Sequence, residues 1–310
     1  MIIIFFSTLP NPSNPPSNNL QLVACCLQLE SNPKPFPLST CKTTVQRFIM
    51  KRSLLSLSLS LSLLSVVLAY GQQAAFNYLP TSTTHQIVRH TYYTLSYSER
   101  DEQAEWVAYT LTAAMVTRTV KRSGNFRVDP YVTTGSATPG DYKNSGYDRG
   151  HLAPAADMAF SPVAMSECFY MSNMSPMVPS FNRGIWEKLE EQVRTWATDY
   201  RKIYVITGGI LKYSMGKIGC DGVTVPRYFY KIVMDDTEPA IKAIAFILPN
   251  EKSEHQLYDY AVTIDSVESL TGIDFFPALP DKIEESLESH IDVLKWSFTP
   301  IHFPKKGAKE

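Results

Sequence analysis

The sequence predicts an α+β domain built on a central, largely antiparallel sheet flanked by helices, and three observations predict it. Strand-like segments come in neighbouring pairs joined by short polar breaks. Helix-periodic segments mix with them without the strict strand–helix alternation of a parallel α/β fold. No internal repeat and no linker longer than a loop divides residues 72–310, so they read as one domain. With 310 residues, 44% of them hydrophobic and 12% aromatic, the chain can bury a sizeable core.

Taken in order, residues 1–49 carry scattered prolines and Ser/Asn clusters with no sustained period. At Met50 the run "MKRSLLSLSLSLSLLSVVLAYGQQ" begins with basic Lys51 and Arg52, continues through apolar Leu54 to Leu68, and closes on Ala69-Tyr70-Gly71. That is the pattern of a secretory signal peptide. The rival is a transmembrane anchor, since the serine-interrupted run of about 18 residues is near the lower limit for crossing a bilayer. A signal placed 50 residues into a chain would work poorly. The expectation is therefore a non-native upstream extension over 1–49, a signal peptide over 50–71 and a mature domain over 72–310. Such a protein is secreted or periplasmic, with no stable membrane insertion after cleavage.

Tyr92 to Tyr97 and Glu105 to Thr112 are strand-like around the break "SERDE", which predicts a hairpin. "KIYVITGGIL" (Lys202–Leu211) predicts a buried strand, and "RYFYKIVMD" and "AIKAIAFILP" two more joined across "DTEP". Trp186, Leu189, Val193, Trp196 and Tyr200 recur at spacings of 3 and 4, one apolar stripe of a helix. "VTIDSVESLTG" and "DKIEESLESHIDVLKW" predict two further helices near the C-terminus.

Setting aside residues 1–71 removes Lys34, Lys42, Arg47, Lys51 and Arg52 but only one acid, Glu30, leaving 24 basic and 29 acidic side chains, a formal charge of −5. A surface of that balance does not hold nucleic acid by bulk charge, so any polyanion site must be a local patch. Lys121, Arg122, Arg149 and Arg183 are the basic residues available for one. Of the five cysteines, Cys168 and Cys220 remain. In an exported protein they pair, or they stand as two separate buried thiols.

Chemistry concentrates in "YDRGHLAPAADM" (Tyr147–Met158), which sets Asp148, Arg149, Gly150 and His151 side by side before a second acid. Alone, a histidine beside an arginine reads as a partly exposed polar residue. About thirty residues on, "FYMSNMSPMVPSFNRGIWEKLE" (Phe169–Glu190) supplies Asn173, Asn182 and Glu190 across a loop and the start of the striped helix. Taken singly, Asn182 is a helix N-cap, and Glu190 forms an i,i+4 ion pair with Arg194.

Together these motifs resemble the DNA/RNA non-specific endonucleases, the ββα-metal nuclease family that includes endonuclease G. The shared pattern runs D-R-G-H, then N-x-x-P-Q, then an asparagine before a glutamate-bearing helix. The likeness extends from about Leu95 to Pro277 and takes in "VITGGI", "VPRYFYKIV" and "AIAFILPN". It implies a ββα-metal fold and a phosphodiester hydrolase acting on DNA and RNA to leave 5′-phosphates. It also implies His151 as general base, Asn182 as the protein ligand of Mg²⁺ (Mn²⁺ or another divalent cation being an alternative), and Glu190 beside the metal-bound water. "VKRSGNFRVDP" resembles the stretch that supplies a phosphate-binding arginine, with Arg122 the best match and Arg127 the reserve. Arg149 contacts phosphate or braces the loop, Asn173 and Arg183 are further substrate-binding candidates, and Asp148 holds the loop. A homodimer is left open.

The physical chemistry agrees. Phosphodiester hydrolysis needs an activated water, a charge sink for the transition state and help for the leaving oxygen. A histidine with an intrinsic pKa of about 6.5 suits the first task. Mg²⁺ keeps most of its waters, so one amide oxygen suffices for the second. One departure stands out: Met177 follows Pro176 where the family has glutamine. Methionine cannot make an amide's hydrogen bonds, which keeps alive a catalytically weak, nucleic-acid-binding relative. An esterase of the nucleophile-elbow type is disfavoured, since no G-x-S-x-G occurs.

Overall fold

The computed structural model describes residues 77–237 and 241–301. The expected upstream extension (1–49) and signal peptide (50–71) lie outside the described residues. No described helix is long and apolar enough to cross a membrane.

The strands are β1 (Ile87–Arg89), β2 (Thr94–Ser98), β3 (Gln103–Thr112), β4 (Asp148–His151), β5 (Met174–Met177), β6 (Lys202–Gly209), β7 (Ser214–Ile218), β8 (Val223–Pro226), β9 (Tyr228–Asp235), β10 (Lys242–Pro249) and β11 (Ala261–Val262). The helices are α1 (Pro162–Glu167), α2 (Glu187–Asp199), α3 (Ile264–Thr271) and α4 (Asp281–Glu288). Seven strands form one sheet in the order β1-β2-β3-β6-β9-β10-β11, and every pairing in it is antiparallel. The expected hairpin is β2–β3, and β9–β10 is the expected pair, in register from Tyr228 opposite Pro249 to Asp235 opposite Lys242.

The central strands read as near-continuous apolar runs because both faces of the sheet are covered. On β3, Val107, Tyr109 and Leu111 join the core on the α2 face, while Trp106 and Ala108 join the core beneath α3. The α2 side receives Trp186, Leu189, Val193 and Trp196, each essentially removed from solvent. Burial of a large apolar side chain is worth about 1.5–3 kcal/mol, so this stripe is what docks α2 on the sheet. Ile264 and Val267 do the same for α3 on the opposite face. α4 ends at Glu288, shorter than the apolar pattern of "DKIEESLESHIDVLKW" predicts, and a 3₁₀ turn at Val293–Lys295 follows it.

The anticipated pairing of cysteines is not formed. Cys168 is buried behind the site and Cys220 is exposed, both as free thiols, so the alternative of two buried thiols fails as well.

Candidate active site

The D-R-G-H tetrapeptide is not a turn. It forms β4, which pairs antiparallel with β5 so that Asp148 faces Met177 and His151 faces Met174. Glycine is required at position 150 by close approach: a Cβ there would collide with the side chain of buried Met177. After β5 the chain makes a helical turn at Pro179–Phe181 and a π-turn over Asn182–Trp186, interrupted at Gly184, before entering α2. π-turns inside helices recur at functional sites because they re-aim side chains. β4 thus carries Asp148 to His151 and α2 carries Glu190, while Asn173 ends the 3₁₀ turn Met171–Asn173 before β5 and Asn182 opens the π-turn before α2.

Asn173 fixes where β4 ends. Its side-chain oxygen accepts from the Ala153 amide at 2.8 Å, and its Nδ2 donates to the carbonyls of Ala153 (3.0 Å) and Cys168 (2.8 Å). It is fully buried, so the expectation that it binds substrate is corrected: its polar atoms are spent on backbone. The residue acts by holding the segment that follows His151.

His151 is 7% exposed and sits edge-on to Phe169, with ring centroids 4.9 Å apart. Its Nε2 is buried without a hydrogen-bond partner among the described residues. An imidazolium would need partners for both N–H groups, and burial, with the nearby Arg122 guanidinium adding to it, pushes the pKa down to about 3. The ring is held neutral, with an unprotonated nitrogen available to take a proton.

His151 opens onto a groove of about 310 Å³ lined also by Arg118, Arg122, Arg149, Asn182 and Glu190. Larger clefts lie elsewhere, but in this one a neutral histidine, arginines and carboxylates converge. Arg122 lies over the Phe169 ring at 5.0 Å and Arg149 over Phe126 at 4.2 Å, so aromatic faces hold both guanidiniums at the groove wall. Arg127, the reserve candidate, is instead consumed by structure. It stacks on Tyr170 at 4.0 Å and donates to the Ser166 carbonyl (2.9 Å) and hydroxyl (3.0 Å).

A protein-family model described as "DNA/RNA non-specific endonuclease" matches residues 71–282. The chain belongs to that family. The endonuclease is 34% identical over 212 residues to a nuclease of Nostoc sp. (strain PCC 7120 / SAG 25.82 / UTEX 2576), covering 64% of this chain and 76% of that protein. It is 33% identical over 202 residues to the mitochondrial endonuclease G of Homo sapiens, covering 60% of this chain and 67% of that one. A crystal structure of an EndoG/EndoGI complex superposes with a TM-score of 0.59 at 32% identity, over 64% of this chain and 88% of the matched chain. The fold is accordingly the α+β, ββα-metal fold that the motifs implied.

Metal dependence is a property of such endonucleases, and the donors in the groove fit a hard cation. Asn182 Nδ2 donates to Asp148 Oδ2 at 3.0 Å. A carboxylate can only accept, so Asp148 holds the amide by its nitrogen, and the Asn182 oxygen takes no hydrogen bond among the described residues. Asn182 is thus not an N-cap. Glu190, half-buried on α2, has its carboxyl pushed up by burial and further by Asp157, while Lys231 and Arg194 oppose the shift. A carboxyl so raised is relieved by a cation at its side. One amide oxygen with a carboxylate beyond it suits a hard divalent cation that retains most of its waters.

Arg194 does not pair with Glu190 as helix spacing predicts. It bonds Asp157 at 2.9 Å, and Tyr109 donates to the other oxygen of Asp157 at 2.7 Å. Arg183 is already forked onto Asp148, Nε at 2.9 Å and Nη2 at 2.6 Å, which mutes its charge toward a phosphate. Sequence reasoning missed three contributors. Arg118 lines the groove, and only its place near Arg122 hinted at it. Asp157 was visible as the second acid of the motif without a role. Lys231 is fully buried with its Nζ unpaired among the described residues, 4.6 Å over the Trp186 ring; its signal was a lysine inside the apolar strand "RYFYKIVMD".

Proposed function

We propose that this endonuclease is exported, requires a divalent cation, with Mg²⁺ the best fit, and hydrolyses both DNA and RNA to products ending in 5′-phosphate, with His151 as the general base. The carrying observation is the buried, unpartnered and neutral His151 ring at a groove walled by arginines. Arg122 and Arg149 orient the phosphodiester against the groove wall, and the unprotonated His151 nitrogen takes the proton of the attacking water. Phe169 and Phe126 keep that ring and the guanidiniums from turning away. A bound divalent cation supplies charge compensation for the transition state and the leaving oxygen. Asn182 and Glu190 are the residues that would hold it and its waters.

The family glutamine replaced by Met177 does not favour a binding-only protein. Met177 is buried against Gly150 and is not among the residues lining the groove. The test is digestion of supercoiled plasmid and of RNA by purified residues 72–310, with Mg²⁺ and with chelator. Nicking of both substrates that chelator abolishes supports the proposal. Retention of DNA without chelator-sensitive cleavage overturns it in favour of the binding relative.

A further inference from the structure

Away from the groove, Asp265 and Glu268 project from α3 and Glu288 stands at the last position of α4. Each presents a carboxylate oxygen within 4.8 Å of the other two. Three carboxylates so close repel one another, and among the described residues none has an ion-pair partner. Glu288 is the telling member. It is 6% exposed, and its Oε1 is buried with no hydrogen-bond partner among the described residues. It also occupies the C-terminal end of its helix, where the macrodipole disfavours negative charge. Glu268 is held in place because its Oε1 accepts from the Phe275 amide at 2.8 Å. Burial, like-charge crowding and the dipole all act against Glu288, and a bound cation relieves all three at once.

We propose that Asp265, Glu268 and Glu288 form a second divalent-cation site, suited to Ca²⁺, that ties α4 to α3 on the sheet face opposite α2. Oxygen-only donors exclude a preference for soft metals. Two oxygens on opposite sides of one Ca²⁺ lie about 4.6–5.2 Å apart, so the cluster is compact enough to share an ion. Ca²⁺ also tolerates the irregular, partly hydrated geometry that three side chains from two helices provide, whereas Mg²⁺ demands a near-ideal octahedron. The role is structural, and nothing in it depends on the nuclease chemistry.

The experiment uses purified protein stripped with chelator, melted thermally and titrated calorimetrically with Ca²⁺ in the presence of saturating Mg²⁺. Wild type and Asn182→Ala should both gain thermal stability with rising Ca²⁺, as binding to the folded state requires. Asp265→Asn, at an exposed position, should weaken Ca²⁺ binding at least tenfold, and Glu288→Gln should abolish the gain, with Mg²⁺-dependent cleavage unchanged in both. A wild type whose melting ignores Ca²⁺ overturns the site. So does a Ca²⁺ response identical in wild type and both variants. Stabilisation of Glu288→Gln over wild type without any Ca²⁺ effect in wild type would show the cluster held by a shared proton instead, which also overturns it.

Discussion

Asp148 and Asn182, 34 residues apart in the chain, meet in a 3.0 Å hydrogen bond that decides which end of the amide faces the groove. The carboxylate sits at the start of β4 and the amide at the π-turn before α2, so this bond also ties strand to helix. Asp148→Ala should free the amide to rotate and lower apparent Mg²⁺ affinity about 10–100-fold, as loss of a partner behind a metal ligand does. Cleavage should recover in part at high Mg²⁺. Metal titration of the variant beside Asn182→Ala checks it, and an unchanged Mg²⁺ midpoint would sink the assignment.

His151→Ala should behave differently. It removes proton abstraction but leaves the arginines and the metal donors, so cleavage should fall roughly 10²–10⁴-fold with DNA binding near wild type. No Mg²⁺ concentration should restore it. Near-normal cleavage by this variant would refute the base.

The neutral state of His151 has a consequence for stability. Its folded pKa of about 3 lies below the ordinary value, taken as about 6.5 in the unfolded chain. The unfolded chain therefore takes up the proton first as pH falls. The contribution is fully present above about pH 6.5 and is lost as pH drops toward 3. Urea denaturation at pH 7, 5.5 and 4 should show wild type losing more stability over this range than His151→Asn. Parallel losses would mean that the imidazole ionises freely in the fold.

Gly150→Ala should destabilise by about 1–3 kcal/mol, because the new methyl overlaps the Met177 side chain. Removing that side chain makes room, so Met177→Ala should cost less in the Gly150→Ala background than alone. Denaturation midpoints of the four proteins in a double-mutant cycle measure this. Additive costs would mean that the two side chains do not compete for space.

Salt should separate the groove arginines from the rest of the surface. With a formal −5 over residues 72–310, the proposed function requires the substrate to be held by the arginines that line the groove, Arg118, Arg122 and Arg149. Each phosphate contact steepens the fall of affinity with salt by close to one unit of log–log slope. Arg122→Ala should flatten the slope by about that much; an unaltered slope would place the phosphate elsewhere.

The periodic elements were legible in the sequence because their burial pattern is local. The stripe from Trp186 to Trp196 and the apolar runs of β6, β9 and β10 need only a neighbouring sheet or helix, whichever it is. The strands β1, β4, β5, β7, β8 and β11 and the helix α1 were not foreseen, since they are short and those of them on the surface carry no sustained alternation. The D-R-G-H, Asn182 and Glu190 motif named the family and its chemistry, since residue type and order survive without coordinates. What it could not allot was partners. Asn173 and Asn182 are asparagines on either side of β5, yet one is buried on backbone groups and the other lines the groove. Arg127 and Arg122 lie five residues apart, yet Ser166 and Tyr170 take the first and leave the second at the wall. Arg194 chose Asp157 over the Glu190 one turn away. In each case a long-range contact decided which polar atom was satisfied and which was left free to act. A polar group's availability depends on everything folded around it, and that is fixed only in the tertiary structure.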